Sequence, residues 1–369
     1  MATKLKGEFK NFQAGLEYFA PNWFATALGT GGLALAIYEL PFKFAAKIPL
    51  ATTIWLIALV ILIIVSGTTL YHRFTMPERI KTYIKDPIVG FFYGAMPMAI
   101  IIVGGGFLLY TRPFLGETIA FWICFSMWIF GTVQASYIAL RLVYISFMEH
   151  EFRINSVVGG WMMPLVPSLL VASTGALIIP YTSPTLGRNM LLVCYGYLGF
   201  GIISSFIVLV QIWQRLAQYK IDSPVFMPTF WIVLGPLGQT ITSFNSLAKD
   251  GERFLPNEYA IFANGLSFFG GVLIWGFATF WLLLVLAMTI KTAIKGMPFS
   301  LTWWSFTFPL AVYSTGSSAI AQRVDALVFS ITAAIAAALL AVIWVYILYR
   351  TIKGVLDKSL LEVPVTAIV

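Results

Sequence analysis

The side chains able to handle an ion in the interior of this 369-residue chain are almost all uncharged. Thr26, Thr30, Ser168, Ser173, Thr174, Gln239, Thr240, Ser243, Asn245, Ser305 and Thr315 fall inside long apolar stretches. Hydroxyl and amide donors placed there can replace the hydration water of an anion. A single Ser or Thr in a helix more often bonds its own backbone, so the set carries the reading, not any one member. Ionisable residues avoid the centres of the same stretches, where they would mark a proton relay or an ion-coupling site. Arg73 and Arg323, at stretch ends, are candidates for attracting anions at two mouths, with interfacial anchoring as the competing role. His72 and His150 are too few and too far apart for a haem pair or a zinc triad. Cys124 and Cys194 read as small buried hydrophobes. No metal or cofactor site is expected, and no hydrolase, Walker or dinucleotide string occurs in a supporting context, so an enzyme is not expected.

One aromatic residue stands apart on its helix face. At about 100° per residue, Ser305, Ala311, Val312, Thr315, Ala319 and Gln322 lie within roughly 60° of Phe308. Phe308 is the bulky ring on that small, partly hydroxylated face. Such a ring can plug a narrow path by size and by dewetting. Phe306 projects to the other side with Leu310 and Tyr313, which reads as packing.

The elements that must position these residues are membrane helices. Of the sequence, 59% is hydrophobic and 10% charged, against about 25% charged in a soluble domain. A span needs about 20 apolar residues, and the sequence divides into ten candidate helices: 16–38, 49–71, 88–110, 118–146, 155–179, 189–215, 226–247, 259–290, 301–320 and 323–350. The expected organisation is a leader over 1–15, an all-α membrane domain over 16–350 and a short tail over 351–369. The basic residues, which give a net charge of +8, are dispersed between apolar segments, so nucleic acid is not an expected partner. Placing both termini in the cytoplasm puts sixteen of the 23 Lys and Arg residues on that side, as the positive-inside rule requires. The expected location is the plasma or inner membrane.

Proline punctuates the odd-numbered stretches. Pro21, Pro97, Pro164, Pro236 and Pro309 follow one another at separations of 76, 67, 72 and 73 residues, while the even stretches have no interior proline. Glycines accompany them, among them Gly29, Gly31, Gly32, Gly104, Gly105, Gly106, Gly235, Gly238 and Gly316. A fixed period of this length signals a repeated unit, here a helical hairpin used five times with five-fold pseudosymmetry. Interior proline breaks helix geometry, and broken backbone at membrane depth belongs inside protein or along a water-filled cavity. The odd helices are therefore expected to kink and to surround a central path, with the even helices outside.

At these proline segments the sequence resembles the tellurite-resistance/dicarboxylate transporter family, which includes slow-type anion channels, tellurite-resistance proteins and malate and sulfite transporters. The matching stretches are Pro21-Asn-Trp-Phe with Gly29-Thr-Gly-Gly32, Trp161-Met-Met-Pro-Leu-Val-Pro167, Gly235-Pro-Leu-Gly-Gln-Thr240 and Trp303-Trp-Ser-Phe-Thr-Phe-Pro309. The resemblance implies a ten-helix pore of five hairpins, a homotrimer with one pore per protomer, and closure by the helix 9 phenylalanine, Phe308. Where anion-channel members have glycine after the aromatic pair, this chain has Trp23-Phe24-Ala25, and Gly29-Thr30-Gly31 is closer to the malate and sulfite branches. Two expectations follow: a conductive pore for small inorganic or organic anions, or a carrier for C4-dicarboxylates, sulfite or tellurite-type oxyanions, with possible proton coupling.

Overall fold

The computed structural model describes residues 19–361 apart from Pro87 and Asp222. The expected leader over 1–15 and the last part of the tail lie outside the described residues. The principal helices are α1 (Phe24–Glu39), α2 (Lys47–Thr75), α3 (Ala95–Gly106), α4 (Glu117–Met148), α5 (Pro167–Ile178), α6 (Pro184–Gln218), α7 (Leu234–Phe254), α8 (Asn257–Ile294), α9 (Thr307–Val324) and α10 (Leu327–Leu356). No strand occurs among the described residues. Seven helical stretches, 47–75, 90–115, 117–148, 184–218, 224–254, 257–294 and 327–356, are long and apolar enough to cross a membrane. The stretches containing α1, α5 and α9 are helical but shorter or more polar.

Packing order sorts these helices into two layers. α1 packs against α3, α3 against α5, α5 against α7, α7 against α9, and α9 returns to α1. Each even helix then packs on the odd helix before it and touches the next odd helix in the ring. Burial follows the same division. The apolar windows of 90–115 and 224–254 are 72% and 78% buried, whereas those of α2, α4, α6, α8 and α10 are 33% or less. Ile63, Leu140, Leu273 and Val342 are each more than 60% exposed, a surface that hydrocarbon covers and water does not tolerate in contiguous patches.

The odd elements do not carry proline as a mid-helix kink. Pro97, Pro236 and Pro309 each occupy the third position of α3, α7 and α9. Each of these helices is preceded by a 3₁₀ segment, Gly90–Gly94, Pro224–Val233 and Leu301–Phe306. Pro21 opens the 3₁₀ turn before α1, and Pro164 follows the 3₁₀ turn Gly159–Met162 before α5. The break is a change of helix type near the proline rather than a bend in a continuous α-helix. A first-turn proline removes an N–H that an α-helix could not use internally, which is why the residue is tolerated at the starts of α3, α7 and α9.

Glycine permits the close ring. A Cβ on Gly94 would stand 1.9 Å from the Met163 carbonyl oxygen, and one on Gly159 would stand 1.8 Å from that of Thr229. The entry segments of α3, α5 and α7 thus meet backbone to backbone.

Indole donors fasten the two layers. Trp55 of α2 donates to the Val103 carbonyl at 2.9 Å, and Trp128 of α4 donates to that of Val171 at 2.9 Å. Trp275 of α8 donates to Ser317 Oγ and Trp344 of α10 to Thr30 Oγ1, both at 3.0 Å. Each bond runs from an even helix to the next odd helix. A further helix, Pro77–Lys85, lies between α2 and α3, with Pro at its start, Glu78 in its first turn and Lys85 in its last. That charge order complements the helix dipole.

Candidate functional site

Phe308, the second residue of α9, is 5% exposed and sits inside the ring of odd helices. A Cβ on Gly32 of α1 would stand 3.7 Å from its Cδ2, and one on Gly235 of α7 would stand 3.9 Å from its Cε1. The same Gly235 position is 3.9 Å from Val166 Cγ1, just before α5. The ring therefore lies against two glycines on the two neighbouring helices, and Val166 borders the same Gly235 position. Phe306 points elsewhere: its ring meets Trp231 edge-on at 5.0 Å and Trp303 at 5.7 Å.

Toward the C-terminal ends of the odd helices, polar side chains bridge the ring. Gln239 Nε2 donates to Ser173 Oγ, joining α7 to α5. Thr242 Oγ1 and Thr315 Oγ1 lie 3.2 Å apart, joining α7 to α9. At about 100° per residue, Gly235, Gln239, Thr242 and Ser246 share one face of α7, and Phe308, Thr315 and Ala319 share one face of α9. Ser173, Thr242, Ser246 and Ala319 are half-buried, whereas Phe308 is closed off.

Other sequence candidates go elsewhere. Thr30 donates to the Thr26 carbonyl at 2.7 Å and receives Trp344, so its hydroxyl is committed to the α1–α10 contact. Thr26 bonds the Trp23 carbonyl at 2.6 Å. Ser168 bonds the Leu165 carbonyl at 2.6 Å and abuts Gly201 of α6. Thr240 and Pro236 line an outward groove between α6 and α8, on the opposite side of α7 from Thr242. The carbonyl of Pro97 lies against Gly131 of α4. Pro164 lies against the entry segment of α3, Ser305 is buried two residues before α9, and Pro309 is buried directly after Phe308. Ser243 donates to the Leu169 carbonyl at 3.1 Å, tying α7 to α5.

The backbone N–H groups that open four of the odd helices are already bonded. Phe24, Ala95, Leu234 and Thr307 donate to the carbonyls of Pro21, Phe92, Trp231 and Trp304. The 3₁₀ turns satisfy these donors, leaving side chains as the available polar groups.

The two arginines sit at opposite ends. Arg73 is exposed at the end of α2 and borders an outer groove with Arg141. Arg323, in the last turn of α9, donates to Asn264 Oδ1 at 2.5 Å and to the Asn245 carbonyl at 3.0 Å. At that same end Arg112 donates to Tyr181 Oη at 2.5 Å and Arg253 to the Pro180 carbonyl at 3.3 Å. Cations here offset the negative ends of the odd helices. Arg112, Arg253 and Thr242 were not singled out from sequence. Their signal was present only as basic residues in the loops after odd helices and as a second hydroxyl two residues beyond Thr240.

Comparison with known proteins places this architecture. A family model described as SLAC1, voltage-dependent anion channel, matches residues 18–352. A sulfite efflux pump of Arthroderma otae is 24% identical over 351 residues, covering 93% of this chain and 92% of that protein. An uncharacterized transporter of Methanocaldococcus jannaschii is 24% identical, covering 82% and 84%. A malic acid transport protein of Schizosaccharomyces pombe is 20% identical, covering 94% and 80%. The match spans nearly all of the described helices, and the chain belongs to the SLAC1 voltage-dependent anion channel family of membrane anion transporters.

Proposed function

We propose that this chain passes small anions along a path enclosed by α1, α3, α5, α7 and α9, and that the Phe308 ring closes it. The observation that carries this reading is the seat of Phe308 between Gly32 and Gly235. A bulky ring held against two glycines can leave by a rotamer change, because no covalent or charged contact holds it. Beyond it, Ser173, Gln239, Thr242 and Thr315 supply hydroxyl and amide donors that accept a partly dehydrated anion. Arg112, Arg253 and Arg323 raise the local anion concentration at the adjoining mouth.

The cyclic packing order and the recurring 3₁₀–proline junction support ten spans arranged as five pseudosymmetric hairpins. The distribution of Lys and Arg supports cytoplasmic termini in a plasma or inner membrane, with residues 16–350 as the membrane unit and 1–15 and 351–369 as its cytoplasmic flanks. A homotrimer with a separate path in each protomer is part of the same proposal and rests on the family resemblance.

A carrier of sulfite or malate is the second reading, favoured by the printed names of the relatives. Flux into proteoliposomes under chloride, nitrate, sulfite and malate gradients, with and without a clamped potential, tests the pair. Conductive flux that rises in Phe308→Ala supports the gated path. Electroneutral malate or sulfite exchange, saturating at low concentration and unaffected by the ring, supports the carrier.

A further inference from the structure

Two cavities on the outer surface lie end to end between α6 and α8. The first, of about 550 Å³, is bordered by Trp213, Trp281, Lys220, Lys291 and Lys295 where both helices finish. The second, of about 330 Å³, is apolar and nearer the middle of the same helices, bordered by Ile202, Phe206, Leu273 and Phe277, with Pro236 of α7 behind it. Trp213 and Trp281, 6.3 Å apart, stand where the two meet. At about 1.5 Å per residue, Phe277 and Lys291 are roughly 21 Å apart along α8, somewhat more than half of a hydrocarbon core of about 30 Å.

Lys220, Lys291 and Lys295 have no acidic partner among the described residues. Lysines at a helix end also serve topology, but these three border one cavity. The arrangement recurs between α2 and α4, where a cavity of about 400 Å³ has Arg73 and Arg141 at its border and Ile80, Ile84 and Phe130 within.

The geometry points to a binding groove for an anionic phospholipid between α6 and α8, with the lipid phosphate against Lys220, Lys291 and Lys295 and an acyl chain lying toward Phe277 and Pro236. Three unpaired ammonium groups select negative headgroups, and the apolar cavity takes the chain. A zwitterionic headgroup forfeits the charge term, and a soluble phosphate forfeits the chain contact.

Lipid retention by the purified full-length protein, read by native mass spectrometry in a neutral detergent, tests this. Dioleoyl-phosphatidylglycerol should be retained over dioleoyl-phosphatidylcholine. The triple variant K220Q/K291Q/K295Q should weaken phosphatidylglycerol retention about ten-fold or more, from an attraction of about 1 kcal/mol per cation near a membrane surface. Leu273→Trp should lower retention by filling the apolar cavity with the lysines intact, whereas Lys43→Gln, at the opposite end of the helices, should leave it unchanged. Glycerol phosphate should not compete at the same concentration. Equal retention of the two lipids, an unaltered triple variant, or full competition by glycerol phosphate would overturn the proposal. So would a loss of oligomeric mass in the triple variant without loss of lipid, which would assign the groove to a second copy of the chain.

Discussion

Phe308 of α9 and Gly235 of α7 are matched in space: a single added methyl on Gly235 would stand 3.9 Å from the ring's Cε1, at ordinary van der Waals distance. The ring thus sits where the smallest side chain on the neighbouring helix would touch it without displacing it. A Cβ on Gly32 of α1 would stand 3.7 Å from the ring's Cδ2 and 3.0 Å from Ala311 Cβ, so this glycine also lets α1 and α9 approach closely.

Removing the ring and removing its neighbour should have opposite consequences. Phe308→Ala is expected to raise anion flux in proteoliposomes severalfold with little loss of folded protein. Phe306→Ala removes a ring packed edge-on against Trp231 and Trp303 and should cost about 3 to 5 kcal/mol of stability, read as lower yield and a lower melting temperature. An open Phe306→Ala beside a closed Phe308→Ala would reverse the assignment of the path face.

Gly235→Ala should fold, because its new methyl meets only ordinary contacts. By packing on the ring it restricts the rotamer change, so wild-type flux should fall. In the Phe308→Ala background the same methyl has no ring to hold, and flux should stay high. Equal reduction in both backgrounds would mean that Gly235 acts on the backbone and not on Phe308.

The layer contact made by Trp344 and Thr30 should appear as a coupling. Trp344→Phe and Thr30→Val should each cost about 1 kcal/mol, and the double variant should cost less than the two together, since either change already breaks the bond. Thermal unfolding in detergent reads all three. Strict additivity would show that the Trp344–Thr30 bond contributes no coupling energy to the fold.

Sequence carried the division between inner and outer helices but not the rotation of each inner helix. The proline period separated the two classes because in the odd elements the proline lies at or beside a 3₁₀ segment, whereas Pro49 and Pro184 merely open α2 and α6. The face of α9 was legible since Phe308 is its one large ring among Ala, Ser and Thr, and Thr315 on that face does meet α7. On α7, Thr240 and Thr242 are about 200° apart, and composition alone does not say which turns inward. The neighbours decide it: Gly238 packs against the Val312 backbone, which turns Thr240 out toward α6 and α8. The indole fastenings were missed because Trp55, Trp128, Trp275 and Trp344 repeat without a tryptophan member from α6, so the period is interrupted.

That rotation is open to chemical test. In a Phe308→Ala background, cysteine at Thr242, Gln239 or Thr315 should react with a small charged thiol reagent added to intact proteoliposomes. Cysteine at Thr240 should not, even though it is one residue from Gln239, because its side chain borders the lipid-facing groove. Similar labelling at Thr240 and Thr242 would disprove the helix rotation described for α7.

Selectivity follows from what the path lacks. The polar groups near Phe308 are hydroxyls and amides, already engaged with one another or with backbone carbonyls, and they are weaker partners than a charge-assisted donor. An anion entering must give up hydration for these modest replacements, so the cost of dehydration ranks the ions. Nitrate, weakly hydrated, should therefore pass more readily than chloride, and cations should be excluded by the arginines at the mouth. Reversal potentials under mixed nitrate and chloride gradients measure the ratio, which should exceed one and should move toward one in Phe308→Ala as the path widens and admits more water. Saturation by malate at low concentration, with no nitrate current, would replace the conductive path with a dicarboxylate carrier whose ligand set lies elsewhere in the ring.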